Sequence, residues 1–243
     1  MVQPESCAVA IPCFNEGATI AALVREVRRH LATVIVVDDG STDDTAAQAL
    51  AAGATVATHV KNCGKGAALK TGFADALKSG FEWALAMDGD GQHKPQDVPA
   101  FFQCAEQTHA RLVVGNRMHN AQAIPWLRRH INRWMSRRIS ERAGQFLADS
   151  QCGFRLVNLK AWSGLRLETN HFETESEMLL AFVRAGYGVQ FVPVQVIGRG
   201  PHSHIRPIQD TCRWLQWWNR SRPIGEFPAK QAKHAKDAKT QAQ

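Results

Sequence analysis

Asp88-Gly89-Asp90-Gly91-Gln92 sets two carboxylates two residues apart at the end of an apolar run, Trp83 to Met87. In extended chain such residues point the same way, so both acids can face one cation. Mg2+ or Mn2+ takes oxygen ligands, commonly one or two carboxylates, with water and substrate phosphates completing the shell. A diphosphate bridged to such an ion is a better leaving group. A solvated turn has the same composition, and this spacing alone leaves both readings open. Asp38-Asp39-Gly40-Ser41-Thr42-Asp43 closes a second apolar run. Thr42 or Asp43 suits the cap of a following helix, whereas the adjacent acids Asp38 and Asp39 repel each other unless a donor satisfies them. A nucleobase imide and ribose hydroxyls are donors of that kind. Lys61 and Lys65, among Asn62, Gly64 and Gly66, precede a helix start, where backbone N–H groups and the helix dipole favour phosphate. A plain turn is the alternative there. Arg117 and Arg155 carry guanidinium forks matched to phosphate oxygens, with surface arginine as the alternative for each.

These clusters need elements to hold them. Cys7 to Phe14 reads as a strand and Ala18 to Leu31 as a helix with Ile20, Leu23, Val24, Val27 and Leu31 on one face. Thr33 to Val37 is nearly all β-branched, as a strand covered on both faces should be. A helix over about 43–52 stops at Gly53, Val56 marks a third strand, Ala67 to Lys78 a third helix, and Trp83 to Met87 a fourth strand. Alternation at this spacing predicts an α/β fold, a Rossmann-like, mainly parallel sheet flanked by helices. Ligands of such sheets sit beyond the carboxyl ends of the strands, and Asn15-Glu16, Asp38-Asp39 and Asp88 to Gln92 all fall there. Three polar clusters therefore converge on one crevice. After the strand Arg111 to Gly115 the alternation weakens into a basic, Trp-bearing helix at about 125–144, a helix near 175–185 and a strand at 189–196.

The expected organisation is one domain over 1–228, with a nucleotide half to about 118 and a C-terminal acceptor-side subregion over 119–228. A Lys/Ala/Gln-rich tail, 229–243, has no aromatic or branched aliphatic residue to bury and is expected to be disordered. Of the formal charge of +7, the stretch Arg128 to Arg142 contributes +5 and the tail +3, leaving the remainder near −1. Basicity this local argues against general nucleic-acid binding. The six Cys form no C-x-x-C pair and, with the ten His, match no structural zinc spacing. His202 and His204, two apart, read as surface or loop polarity, with an added metal ligand as the alternative. No secretion signal or membrane-spanning run is visible, so the expected setting is cytoplasmic. No G-x-G-x-x-G follows the first strand and Gly64-Lys65-Gly66 lacks the rest of a Walker loop, which disfavours dinucleotide oxidoreductases and P-loop NTPases.

Taken in order, Pro12-Cys13-Phe14-Asn15-Glu16, Val36-Val37-Asp38-Asp39-Gly40-Ser41-Thr42-Asp43, Gly64-Lys65-Gly66, Asp88-Gly89-Asp90-Gly91-Gln92-His93 and Cys152-Gly153-Phe154-Arg155 resemble the family 2 glycosyltransferases of GT-A fold. The dolichyl-phosphate mannosyltransferase-like branch is the most similar, and the resemblance spans about residues 7 to 210. It implies inverting transfer from a UDP- or GDP-sugar with Mg2+ or Mn2+ as cofactor. It implies that Pro12, Asn15, Glu16, Asp38, Asp39, Lys65 and Asp88 bind the nucleotide sugar, that Asp88, Asp90 and Gln92 hold the metal, and that Lys65, Arg117 and Arg155 meet phosphate. Cys152 stands where that branch commonly has Ser or Thr, and His202 to Pro207 departs from its usual loop.

The expected acceptor is a polyprenyl phosphate, whose oxygen is already anionic and needs no base. The alternative is a hydroxyl of a lipid or envelope glycan, for which Asp149, Glu173 or Glu175 would take the proton; Glu173 and Glu175 also suit a helix start. A non-enzymatic basic membrane- or nucleic-acid-binding module is the third reading. Trp126, Leu127, Ile131, Trp134, Met135 and Ile139 recur at roughly helical spacing with Arg128, Arg129, Arg133, Arg137, Arg138 and Arg142 between them. That pattern suits a helix lying on an anionic membrane, with core or oligomer contact as the alternative. Trp214, Leu215, Trp217 and Trp218 form a second aromatic cluster. The expected location is peripheral, on the inner face of the membrane, with recruitment by a membrane-protein partner also compatible.

Overall fold

The computed structural model describes residues 2–118, 124–195 and 207–221. The expectations for His202 and His204 and for the tail 229–243 fall outside them. The strands are β1 (Cys7–Cys13), β2 (Val34–Asp38), β3 (Thr55–Thr58), β4 (Trp83–Ala86), β5 (Leu112–Asn116), β6 (Arg155–Asn158) and β7 (Val189–Pro193). The α-helices are α1 (Gly17–Val27), α2 (Thr45–Ala51), α3 (Lys65–Lys78), α4 (Val98–Thr108), α5 (Trp126–Ala143), α6 (Leu159–Ser163), α7 (Glu173–Arg184) and α8 (Pro207–Arg220).

One sheet runs β3-β2-β1-β4-β6-β5-β7. β1 is parallel to β2 and β4, β2 to β3, and β5 to β7, while β6 lies antiparallel between β4 and β5. Every residue of β2 and β4 is buried, which is why these strands read as unbroken apolar runs. The chain leaves β1 towards β2 and β3, then returns to place β4 on β1's other side. That reversal makes a topological switch point, and the crevice beyond the carboxyl ends there is where a ligand fits. Asp38 ends β2, and Asp88 lies two residues past β4.

β6 went unpredicted for a physical reason: it has four residues and opens with an arginine. α1 buries Ile20, Leu23, Val24 and Val27 on the sheet, as its periodicity predicts. α5 ends at Gly144 in the left-handed region, φ +67°. Its Met135 and Ile139 join Leu147, Leu180 and Trp214 in a small second core. The apolar stripe of α5 is thus divided: Met135 and Ile139 are packed inside, while Trp126, Leu127 and Trp134 stay exposed. Trp214 of the second aromatic cluster is buried and stacks on Trp218 with ring planes 9° apart.

Candidate active site

A cavity of about 810 Å3 opens at the switch point, within the range of small-molecule sites. Its polar end is built from strand ends and the loops that follow them: Pro12 in β1 with Phe14 and Glu16 after it, Asp39 after β2, Asn62, Gly64 and Lys65 before and at the start of α3, and Asp88, Asp90, Gln92 and His93 after β4.

The two adjacent acids divide their work. Asp38 accepts a bond from the Ser41 backbone N at 3.0 Å and supports its own loop. Asp39 lines the cavity and accepts from the backbone N of Cys63 at 2.9 Å and of Gly64 at 2.8 Å, and it lies 2.7 Å from His59 Nδ1. The repulsion argued from sequence is therefore relieved by protein donors. Gly64 takes φ +99°, and a Cβ there would come within 2.3 Å of His171 Nδ1, so the loop depends on glycine. Asn15, at φ +54°, ties the first loop to the second: its backbone N donates to Ser41 Oγ at 2.8 Å and its Oδ1 accepts from Thr42 N at 2.8 Å. Pro12, Glu16, Asp39, Lys65 and Asp88 reach the cavity wall, whereas Asn15 and Asp38 shape the loops behind it.

Lys65 Nζ sits 2.7 Å from Asp88 Oδ1 and 2.6 Å from Glu175 Oε1. Burial opposes its charge, but the two carboxylates more than offset that and hold the ammonium above its ordinary range. Burial likewise opposes ionisation of Asp88, yet Lys65 and His93 keep that carboxyl well below the usual range. Asp90 goes the other way: burial and the neighbouring Asp88 charge raise it, with the Gln92 backbone N at 3.0 Å as a partial compensation. Gly153 allows the close fit of Asp88, since a Cβ there would come within 2.4 Å of Asp88 Oδ1. Two carboxylates and the Gln92 amide, all oxygen donors on one wall, suit a hard divalent cation such as Mg2+ or Mn2+. The tethered Lys65 ammonium already marks the spot as one that demands positive charge.

Three expected residues have other roles. Arg155 is fully buried beneath the floor, and its three guanidinium nitrogens donate to the backbone carbonyls of Cys152, Glu175 and Ser150. It clips β6 to the start of α7 and does not reach the cavity, so the expected phosphate contact is corrected. Asp149 is also fully buried, paired through both oxygens with Arg117 at 2.8 and 3.0 Å, and it is withdrawn as a base for the acceptor. Arg117 itself lines the cavity. Glu175 is held by Lys65. Glu173 alone of the three base candidates combines a place in the cavity wall with a buried oxygen, Oε2, that has no hydrogen-bond partner among the described residues.

The part of the cavity lined by α5, α8 and the residues before α5 is apolar, with Ile124, Leu127, Ile131, Met135 and Trp214, and Arg128 and Arg213 stand among them; Arg117 and Phe172 lie nearer the acids, Lys65 Nζ standing 5.3 Å from the Phe172 ring centre. Arg128 thus turns inward, whereas Arg133, Arg137 and Arg138 are exposed beside Trp134; Arg129 is half-buried. Arg137 and Arg138 both pair with Glu141. Among the described residues no helix is long and apolar enough to cross a membrane. Sequence reasoning missed His93, Gln151, Phe172 and Arg213 as wall residues. His93 adjoins the acidic motif, but nothing in the sequence marks the others.

A switch-point cavity with strand-end acids on one side and an antiparallel β6 completing the sheet defines a GT-A glycosyltransferase. The chain belongs to glycosyl transferase family 2, whose model matches residues 8–161. It is 28% identical over 215 residues to glycosyltransferase AglJ of Haloferax volcanii, covering 86% of this chain and 70% of that protein. It is also 28% identical over 210 residues to the UDP-N-acetylglucosamine–dolichyl-phosphate N-acetylglucosaminyltransferase of Methanococcus voltae, covering 77% and 84%. Among solved structures, glucosyl-3-phosphoglycerate synthase from Mycobacterium tuberculosis in complex with Mn2+, UDP-glucose and phosphoglyceric acid superposes with a TM-score of 0.67 at 21% identity, over 86% of this chain and 75% of that one. Membership of an enzyme family sets aside the non-enzymatic module.

Proposed function

We propose that this glycosyltransferase moves a hexose or N-acetylhexosamine from a UDP- or GDP-sugar, with inversion, onto a polyprenyl phosphate at the cytoplasmic face of a membrane. The observation that carries the reading is the two-ended cavity. One end is acidic and lysine-bearing, fit for a cation and a nucleoside diphosphate; the other is apolar and flanked by arginines, fit for a lipid whose head is a phosphate. The Methanococcus voltae relative, whose name specifies dolichyl phosphate, supports the same acceptor class.

In this reading Pro12, Glu16 and Asp39 flank the nucleoside, and Asp88, Asp90 and Gln92 hold Mg2+ or Mn2+. That ion, when bound, neutralises charge on the diphosphate. Lys65 gives up its contact with Asp88 to meet the donor phosphates. Arg117 and Arg128 hold the acceptor phosphate, its oxygen bonds to the anomeric carbon from the face opposite the diphosphate, and the bond to the nucleoside diphosphate breaks. A phosphate monoester, with a second pKa near 6, is anionic at neutral pH, so no base is needed. The second reading, a hydroxyl acceptor, is favoured by one feature, the unpartnered Oε2 of Glu173, which could take a hydroxyl proton.

The test is transfer of labelled sugar into a solvent-extractable product. Release of label by mild acid is expected of a sugar phosphodiester. An acid-stable product would overturn the lipid-phosphate acceptor in favour of the hydroxyl.

A further inference from the structure

Beside the nucleoside end lies a cluster of different chemistry. A carboxylate oxygen of Asp39, a ring nitrogen of His59 and Cys63 Sγ all lie within 4.8 Å of one another. Among the described residues no other group of three such side chains converges so closely. His59 Nδ1 faces Asp39 Oδ1 at 2.7 Å, and its other nitrogen, Nε2, is fixed by Thr71 Oγ1 at 3.0 Å. A metal-ligating histidine is typically oriented in this way, its second nitrogen held by a protein oxygen. The Cys63 thiol is free and exposed, and it makes only a 3.3 Å contact with the Lys61 carbonyl.

We propose that Asp39, His59 and Cys63 form a binding site for a borderline-soft divalent ion, Zn2+ in the first place, separate in residues and in chemistry from the all-oxygen site at Asp88, Asp90 and Gln92. Sulfur, imidazole and carboxylate in one place select Zn2+ over Mg2+ or Mn2+. The ion takes its place between Asp39 Oδ1 and His59 Nδ1, now 2.7 Å apart. The imidazole keeps its one proton, carried on Nε2 and donated to Thr71 Oγ1, and the Cys63 thiol proton passes to solvent. Asp39 keeps its bonds from the Cys63 and Gly64 backbone, so the loop stays in place. Ligands of a tetrahedral zinc stand roughly 3.5 Å apart, given bond lengths of about 2.0–2.3 Å. Reaching that spacing needs the 2.7 Å contact between Asp39 and His59 to open and the exposed Cys63 side chain to turn towards them, and water completes the shell. Because Asp39 also lines the cavity, the ion would add positive charge beside it.

Cobalt(II) is the probe, since thiolate ligation gives it a near-ultraviolet sulfur-to-metal charge-transfer band that oxygen and nitrogen ligands do not. The full chain titrated with Co2+ is expected to develop that band at one equivalent, to keep it in excess Mg2+ and to lose it on addition of Zn2+. Cys63→Ala should abolish the band and weaken Zn2+ binding in calorimetry by more than the roughly 10–100-fold that loss of an outer-shell partner costs. Cys212→Ala, which removes the other exposed thiol, should leave both unchanged. No band, a band surviving in Cys63→Ala, or its displacement by Mg2+ would each overturn the site. The readout is metal spectroscopy without substrate, so it stands or falls apart from the acceptor assigned above.

Discussion

Asp149 and Arg117 are each buried, and each is the other's counter-charge. Burial opposes ionisation of Asp149, but Arg117 more than offsets it and leaves the carboxyl below the usual range. The folded protein therefore binds that proton less readily than the unfolded chain. Stability from the pair is fully present above the ordinary aspartate pKa and is lost as pH falls through the lowered folded value. Asp149→Asn strands the guanidinium, and we expect urea denaturation at neutral pH to show a loss of about 3–5 kcal/mol. The variant's stability should also vary less across the acidic window; an unchanged acid profile would mean that the pair is not the source. Asp90 gives the complementary case. It stands on the cavity wall, and its charge is disfavoured by burial and by Asp88, a repulsion that the proposed cation would relieve. Asp90→Ala is expected to lower kcat roughly 10²–10³-fold with little change in melting temperature. Retained turnover would remove Asp90 from the site. At this scale the sequence was legible for place: the acids after β4 stand on the cavity wall, where the strand-end argument puts them. It was silent where partners decide: nothing local separates Asp38 from Asp39, or shows that Arg155 spends its donors on three carbonyls.

Among the elements, the strands buried on both faces were readable because nearly every residue in them is apolar, and α1 because its periodicity is regular. β6 was not, since four residues beginning with a buried arginine carry no strand pattern. α8 is amphipathic, yet only tertiary packing shows that Trp214 points inward. α5 shows how one helix can serve two masters. Its Met135 and Ile139 pack against α7 and α8, while Arg133, Arg137 and Arg138 project outward with Trp126, Leu127 and Trp134 exposed. A basic residue near an anionic lipid surface contributes about 1 kcal/mol, so charge reversal at the three outward arginines should weaken binding to anionic vesicles by at least about 100-fold. Because none of the three lines the cavity, Arg133→Glu, Arg137→Glu and Arg138→Glu together should abolish co-sedimentation with such vesicles and leave sugar-nucleotide hydrolysis intact. Undiminished sedimentation would assign this face to something other than membrane.

For the molecule as a whole, the reversal of strand order between β1 and β4 lets one ligand be gripped by both halves of the chain: acids and glycines from the first half, and α5, α7 and α8 from the second. Binding there should stabilise the entire fold. At a ligand concentration of 100 times Kd the gain is about 2.7 kcal/mol, and for a domain of this size each kcal/mol raises Tm by about 2–4 °C. A matched nucleoside diphosphate with Mn2+ is therefore expected to raise Tm by roughly 5–10 °C. Mn2+ alone should do much less, because Lys65 Nζ already lies 2.7 Å from Asp88 and supplies the positive charge that the wall demands. In the mechanism proposed above, Asp88 becomes available only when donor phosphates draw Lys65 away, so that ion and nucleotide would depend on each other. EDTA should then cancel most of the nucleotide's effect, and Asp90→Ala should show the same reduced shift with or without EDTA. If the nucleotide gave its full shift in EDTA, the cation would have no part in holding the donor, and Lys65 would be the permanent counter-charge of Asp88.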